Sequence, residues 1–151
     1  MWPDWLQVAY NELRHGVKEV AGPQSNPRIV SFHSRTTLKA TDDDVSWCSA
    51  FVCWCMEEAG VKHTHSARAR SWLEWGVAVS PVHPPLGAVL IFARGPDPQP
   101  GPEVLDAQGH VGLFFGHAEP GSLIVLGGNQ SDAVTVAKFS VHKLLGVRWA
   151  A

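Results

Sequence analysis

The feature that most constrains the fold is a segment of almost entirely apolar residues, positions 47–56. At helical spacing these side chains cover nearly every face, so the pattern predicts a helix that is buried on most sides. Ser46 or the acidic residues before it are suited to cap the start of this helix, and Gly60 suits the left-handed position just past its end. Such a helix lies at the centre of a domain, with other elements packed around it.

Helical segments flank this central helix, and strand-like segments follow. We predict helices over residues 3 to about 20, 28 to about 36 and 66 to about 75, with Gly22-Pro23 ending the first. After Pro81 come five short β-favouring runs, at residues 88–92, 111–115, 123–126, 134–139 and 147–149. Helices first and strands afterwards predict an α+β domain with an antiparallel sheet of about five strands.

Length and composition fit a single domain over residues 1–151. Hydrophobic residues make up 45% of the chain, including seven Trp, which is enough for a core of its own. The formal net charge of −2 gives no electrostatic reason to expect binding to nucleic acid or to an anionic membrane. No secretory signal and no membrane-spanning run is visible, so we expect synthesis in the cytoplasm and later release or delivery to any target outside it.

Two loops deserve separate interpretation. The acidic run Asp42, Asp43 and Asp44 is most simply a solvated loop or the start of the central helix. The proline-rich segment from Gly95 to Gly109 lies between two strands of the predicted sheet. Because long loops in compact domains are often functional, we expect this segment to overhang a site.

Cys48 is the strongest candidate for chemistry. It lies in the first turn of the central helix, where unpaired backbone N–H groups and the positive end of the dipole favour an anion. These effects lower the pKa of a thiol and so increase its reactive thiolate fraction. The same N–H groups could hold the oxyanion that forms when a carbonyl is attacked. The alternative is a buried small apolar residue, which is the interpretation we give to Cys53 and Cys55.

A thiol nucleophile needs a base, and His110 has the best context of the eight His. It opens a predicted strand directly after Gly109, at the end of the long loop. On that strand His110 and Gly112 point to the same face, which leaves space for a substrate backbone. The alternative is a solvent-facing His at the start of a strand.

A third polar group would orient the base, and Asn129 and Gln130 end the next predicted strand. If the two strands are antiparallel, the start of one meets the end of the other. Alternation places Asn129 and Gln130 on opposite faces, and both faces are apolar, so periodicity does not choose between them. A turn over residues 127–130 is the alternative.

A zinc site is disfavoured. Cys53 and Cys55, with His63 and His65, resemble two pairs of ligands. On a helix, however, residues two apart point about 200° away from each other, so the two thiols do not readily face one ion. We therefore expect no metal and no cofactor.

Together these motifs resemble the NlpC/P60 and CHAP superfamily of papain-like cysteine peptidases and amidases, and in particular its small phage- and prophage-associated wall hydrolases. The sequences Trp-Cys-Ser-Ala-Phe, Gly-His-Val-Gly and Gly-Gly-Asn-Gln form a specific trio. The matching segments span nearly the whole chain in the expected order, at residues 43–52, 66–76, 85–92, 109–112, 126–130 and 144–149.

The resemblance implies a papain-like fold with Cys48 as nucleophile, His110 as base and Asn129 as the orienting group. Some relatives place a Glu two residues before that Asn, where this chain has Gly127. Trp47, Trp72 and Trp75 are candidates to line the substrate groove, although core packing is the more common role of Trp. Gln130 is a further candidate for contact with substrate.

The implied activity is hydrolysis of a peptide or amide bond in the stem peptide of peptidoglycan, through an acyl-enzyme. The implied role is that of a phage or prophage endolysin, a monomer released by a holin-type system. A wall-degrading toxin with an immunity protein is the alternative role. An acyltransferase or deamidase and a non-catalytic wall-binding domain are alternative activities.

Overall fold

The structure is a computed structural model that describes residues 1–22, 24–41 and 46–151. The acidic run at positions 42–44 and Pro23 therefore lie outside the described residues. The helices are α1 (Asp4–Arg14), α2 (Pro27–His33) and α3 (Cys48–Glu58), with 3₁₀ helices at Ala69–Glu74 and Val141–Lys143. The strands are β1 (Val77–Ala78), β2 (Val89–Ala93), β3 (Gly109–His117), β4 (Ser122–Gln130), β5 (Ala133–Ser140) and β6 (Leu144–Trp149).

The strands form one sheet in the order β1-β6-β2-β3-β4-β5, and every pair is antiparallel. The predicted α+β class with an antiparallel sheet is confirmed. Five of the strands, β2 to β6, correspond to the five predicted runs. The sixth, β1, is a two-residue edge strand that the sequence analysis missed, because two exposed residues carry no alternation signal.

The first helix is shorter than predicted. It ends at Arg14 rather than near Val20, and Gly16 follows with a φ of +67°. The chain then runs along the edge of the sheet, where Val134 N donates to Val17 O at 2.9 Å. This edge pairing explains the difference, because Val17 fits a helical apolar pattern but is buried beside β5 instead.

The central helix forms as predicted, with Cys48 as its first residue and Gly60 beyond its end at a φ of +72°. Its N-cap position is Trp47, whose side chain makes no capping hydrogen bond, so Ser46 is not the cap. The predicted helix after Ser66 is a shorter 3₁₀ helix instead. The helix predicted to reach about residue 36 ends at His33.

Each face of the sheet holds its own buried cluster. One face packs on the helices, with Val111, Leu113 and Leu126 in the same core as α3. The other face holds a second cluster that includes Phe92 and Phe114. Within the described residues, no helix has the length and apolar character needed to cross a membrane.

Candidate active site

Cys48 lies at the floor of a cleft of about 380 Å³. The start of α3 forms one wall, residues 67–69 form the second, and the end of the long loop before β3 forms the third. The long loop, which was predicted to overhang a site, contributes Asp106, Ala107 and Gln108 to the lining of the cleft. Only 2% of Cys48 is exposed, so the residue is almost fully covered by the walls of this cleft.

The surroundings of Cys48 favour its thiolate. Burial raises the pKa of the thiol, whereas the hydrogen bond and the charge of His110 lower it. The backbone N–H groups of Val111 and Ser49 also donate to the sulfur, and the resulting pKa lies below the usual thiol value. The first hydrogen bond within α3 runs from Phe51 N to Trp47 O, so the N–H groups of the first turn have no partner further back in the helix.

His110 is held rigidly at the start of β3. It pairs in register with Phe92 of β2, and only 7% of it is exposed. Its ring stacks on Phe139 of β5, with centroids 4.8 Å apart and planes at 6°. Burial lowers the pKa of His110, but the contacts with Cys48 and Gln130 outweigh this and the pKa is raised. The structure therefore brings Cys48 and His110 together, as the sequence predicted.

Gln130 fixes the tautomer of the imidazole. Its side-chain nitrogen donates to Val125 O at 3.2 Å and to Thr135 O at 2.9 Å, so its oxygen must point the other way. That oxygen accepts from His110 Nε2 at 3.0 Å. With Nε2 protonated, Nδ1 is the nitrogen that remains to accept the proton of the Cys48 thiol.

Two glycines make room for Gln130. A Cβ added to Gly127 would lie 2.5 Å from the Gln130 side-chain oxygen. A Cβ on Gly112 would collide with Val125 and approach the same oxygen to 3.5 Å. A side chain at Gly127 would therefore meet the Gln130 oxygen, and the absence of one is what lets Gln130 reach His110.

Asn129, the favoured third group from sequence, does not contact His110. Its side chain is part-exposed and its nitrogen donates to Ser46 Oγ at 3.3 Å. The reason is a register shift between Gly127 and Gln130, with Asn129 in the left-handed region at a φ of +57°. A one-residue bulge exchanges the faces to which later side chains point, so Gln130 takes the position on the His110 side.

The predicted substrate contacts of Trp47 and Trp72 are corrected by their burial. Both side chains are fully buried. Trp47 Nε1 donates to Glu19 Oε2 and Trp72 Nε1 to Ser49 Oγ, each at 2.9 Å. Gln130, predicted to contact substrate, is also buried and uses both ends of its amide within the protein.

The other two cysteines lie deeper in the same helix. Burial raises the pKa of Cys53 and raises that of Cys55 well above the usual thiol value. Cys53 Sγ lies 3.8 Å from Thr64 Oγ1, whereas His63 contacts Glu57 on the surface. Across the described ranges, no three His, Cys, Asp or Glu side chains are placed to hold a metal ion.

Arg70 anchors the long loop that walls the cleft. Its guanidinium is fully buried and donates to the carbonyl oxygens of Pro100, Gly101, Val104 and Gln108 at 2.7–3.1 Å. A guanidinium carries five donors in a rigid fork, which suits several carbonyls at once. In the sequence, Arg70 stands within the matching segment at residues 66–76, and no function is predicted for it.

Comparisons with known proteins identify the family. Residues 40–129, more than half of the chain, match the CHAP domain family. Among solved structures, the chain resembles an NlpC/P60 family protein from Bacillus cereus ATCC 10987, with a TM-score of 0.51 and 16% sequence identity. That likeness covers 97% of this chain but 39% of the Bacillus protein, so the chain spans well under half of its length. A search among curated proteins finds no match.

The structural likeness shows the fold, which is the papain-like α+β fold that the sequence predicted. The family match contains both Cys48 and His110, and it ends one residue before Gln130. The chain therefore belongs to the CHAP domain family of papain-like peptidases, a family of amidases and peptidases that act on peptidoglycan.

Proposed function

We propose that this protein is a cysteine hydrolase that cuts a peptide or amide bond in the stem peptide of peptidoglycan. The observation that carries the proposal is the Cys48–His110 contact at the start of α3, with the pKa of the thiol lowered and that of the imidazole raised. Both shifts favour the thiolate–imidazolium pair, which is the reactive form in this kind of catalysis. The family match supports peptidoglycan as the substrate.

The proposed reaction begins with attack of the Cys48 thiolate on the scissile carbonyl carbon. The carbonyl oxygen becomes an oxyanion, and the N–H groups in the first turn of α3 stabilise it. The His110 imidazolium gives its proton to the leaving amine, the C–N bond breaks and a thioester remains on Cys48. His110 then takes a proton from water and the hydroxide attacks the thioester. The thiolate leaves, and the carboxylic acid that is released loses its proton to solvent.

Gln130 is proposed to orient His110 throughout this cycle. Because its amide nitrogen is committed to Val125 and Thr135, its oxygen stays directed at Nε2. The ring therefore keeps Nδ1 towards Cys48 in both protonation states. Stacking on Phe139 restricts rotation of the same ring.

For the biological role, the sequence resemblance to phage- and prophage-associated hydrolases supports an endolysin, released by a holin-type system. Expression in a bacterial host with and without a holin tests this role. Lysis that requires both the holin and Cys48 is expected. If the protein instead kills the host cells and an immunity protein encoded by a neighbouring gene prevents this killing, the toxin role would be established.

The activity is tested by digestion of purified peptidoglycan in water enriched in ¹⁸O. The wild type is expected to release new amine termini, each matched by a carboxyl group that has gained one ¹⁸O atom. Cys48→Ala should release none, whereas the matched control Cys55→Ala should behave as the wild type. New amide bonds without ¹⁸O would establish acyl transfer instead, and intact wall with folded, reduced wild-type protein would reject the proposed function.

A further inference from the structure

Two arginines line the Cys48 cleft. Arg68 belongs to the wall before the 3₁₀ helix, and Arg94 follows β2 at the start of the long loop. The side chains of both residues are exposed. The only acidic residue among the described residues that line this cleft is Asp106, so the described lining carries two positive charges and one negative charge.

Within residues 1–22, 24–41 and 46–151, neither guanidinium forms a hydrogen bond or an ion pair with another protein group. Arg68 bonds only through its backbone N–H, which donates to Ser66 Oγ at 3.1 Å, and Arg94 forms no ion pair there. Most other arginines in these ranges are engaged. Arg28 and Arg35 form ion pairs with glutamates, and Arg148 donates to Leu73 O.

Arg94 is placed close to the catalytic histidine by the strand register. Phe92 pairs with His110 and Ala93 pairs with Gly109, so Arg94 is the next residue beyond these pairs. Its charge acts to lower the pKa of His110. Because Arg94 follows the strand pair that contains His110 and also lines the cleft, an anionic group bound to Arg94 would lie on the His110 side of the cleft.

Arg68 stands where two clefts meet. It lines the Cys48 cleft, and with Ser46 and Ala67 it also lines an adjoining cleft that extends to Thr37 and Leu38. A peptide that crosses the start of α3 would pass from one cleft to the other. Arg68 would then contact the peptide close to the bond held over Cys48.

We infer that Arg68 and Arg94 bind a free carboxylate of the substrate next to the scissile bond, so that the cleft selects acidic stem peptides over their amidated forms. Arginine suits this task because its planar donors match the two oxygens of a carboxylate. The inference rests on the proposed function and deepens it. It predicts a specificity that the Cys48–His110 pair alone does not provide.

The test uses two stem pentapeptides that differ at one group. One has a free α-carboxylate on its acidic residue, and the other has a carboxamide there. For the wild type, kcat/KM is expected to be about tenfold higher for the carboxylate peptide, which corresponds to one charge-assisted hydrogen bond. Arg68→Gln and Arg94→Gln should each reduce this preference, and the double variant should abolish it. Arg14→Gln, at an exposed position on α1, is the matched control and should keep it.

Calorimetric binding to Cys48→Ala protein separates this inference from the proposed function. Tighter binding of the carboxylate peptide that disappears in the double arginine variant supports the inference even if the wild type cleaves neither peptide. Equal binding and equal kcat/KM for the two peptides would overturn it, as would a preference that survives in the double variant. In both cases hydrolysis of peptidoglycan would still be judged by the digestion experiment alone.

Discussion

Cys48 and Cys55 lie in the same helix and are buried to nearly the same extent, with exposures of 2% and 0%. Burial raises the pKa of both thiols. At Cys55 nothing opposes this, and the nearby Glu12 adds to it. At Cys48 the contact with His110 and the N–H groups of Val111 and Ser49 reverse it. The difference shows that the start of the helix and the imidazole, rather than residue type or burial, distinguish the pKa of Cys48 from that of Cys55.

Removal of His110 should have the largest effect on the pKa difference between Cys48 and Cys55. In His110→Ala, Cys48 keeps its burial and its N–H partners but loses the largest opposing interaction, so its pKa should rise. We expect hydrolysis to fall by about 10⁴-fold, since the general base and acid is lost with it. Rates of peptidoglycan solubilisation measure the effect. His117→Ala, at the exposed far end of β3, is the control, and an equal loss in both variants would contradict the assignment.

Gln130→Leu should weaken the interaction between Cys48 and His110 without removing it. We expect about a 10²-fold loss of kcat, because the imidazole can then turn away from Cys48. The contact with Gln130 raises the pKa of His110, so its loss should lower that pKa. Activity that depends on the imidazolium should then be lost at lower pH than in the wild type. A pH–rate profile measures this shift of the alkaline limb.

Asn129→Gly is the matched control for Gln130, because glycine keeps the left-handed backbone that position 129 requires. We expect its pH profile to coincide with that of the wild type. If Asn129→Gly moved the alkaline limb and Gln130→Leu did not, the orienting group would be Asn129 after all.

Phe139→Leu should have a smaller effect on the same histidine. The leucine side chain cannot stack on the imidazole, whose plane now lies 6° from that of Phe139. We expect about a tenfold loss of kcat with KM little changed, as for a small misplacement of a catalytic group. Steady-state kinetics separate the two constants. Val136→Ala, at an exposed position on the same strand, should match the wild type, and a selective rise in KM in Phe139→Leu would contradict the positioning role.

Cys55→Ala should show the smallest effect and only on stability. Cys55 is fully buried and lies away from the cleft, so loss of its sulfur leaves a small void. We expect the free energy of unfolding to fall by about 1 kcal/mol, with kcat/KM unchanged. Urea denaturation measures the first quantity. A loss of activity without a loss of stability would show that Cys55 takes part in the chemistry.

The sequence predicted that Cys48 and His110 lie together because both positions depend on local signals. Cys48 begins an apolar helix, and His110 begins a strand next to small residues, so each position follows from the residues beside it. The third group could not be predicted in the same way. Strict alternation in β4 gives Asn129 the face of Leu123 and Val125, and only the register shift after Gly127 gives that side to Gln130.

Arg70 and Phe139 were missed because their contacts are distant in sequence. Arg70 reaches carbonyls about 30 to 40 positions away, and Phe139 meets His110 from a strand that is not adjacent to β3. The only sequence signal for Arg70 was its place in a matching motif. Trp47 and Trp72 were named from the sequence but were given the wrong role. An aromatic residue near a nucleophile has the same sequence pattern whether it faces a groove or the core.

The most direct test is the rate at which each cysteine of the native protein reacts with iodoacetamide across the pH range, mapped by mass spectrometry. Cys48 alone is expected to react near neutral pH, with an apparent pKa below that of an ordinary thiol, and this pKa should rise in His110→Ala. Cys53 and Cys55 should stay unmodified until the protein unfolds. If Cys48 reacts no faster than the other two, or titrates at or above the ordinary thiol value, the assignment of Cys48 as the activated nucleophile is contradicted.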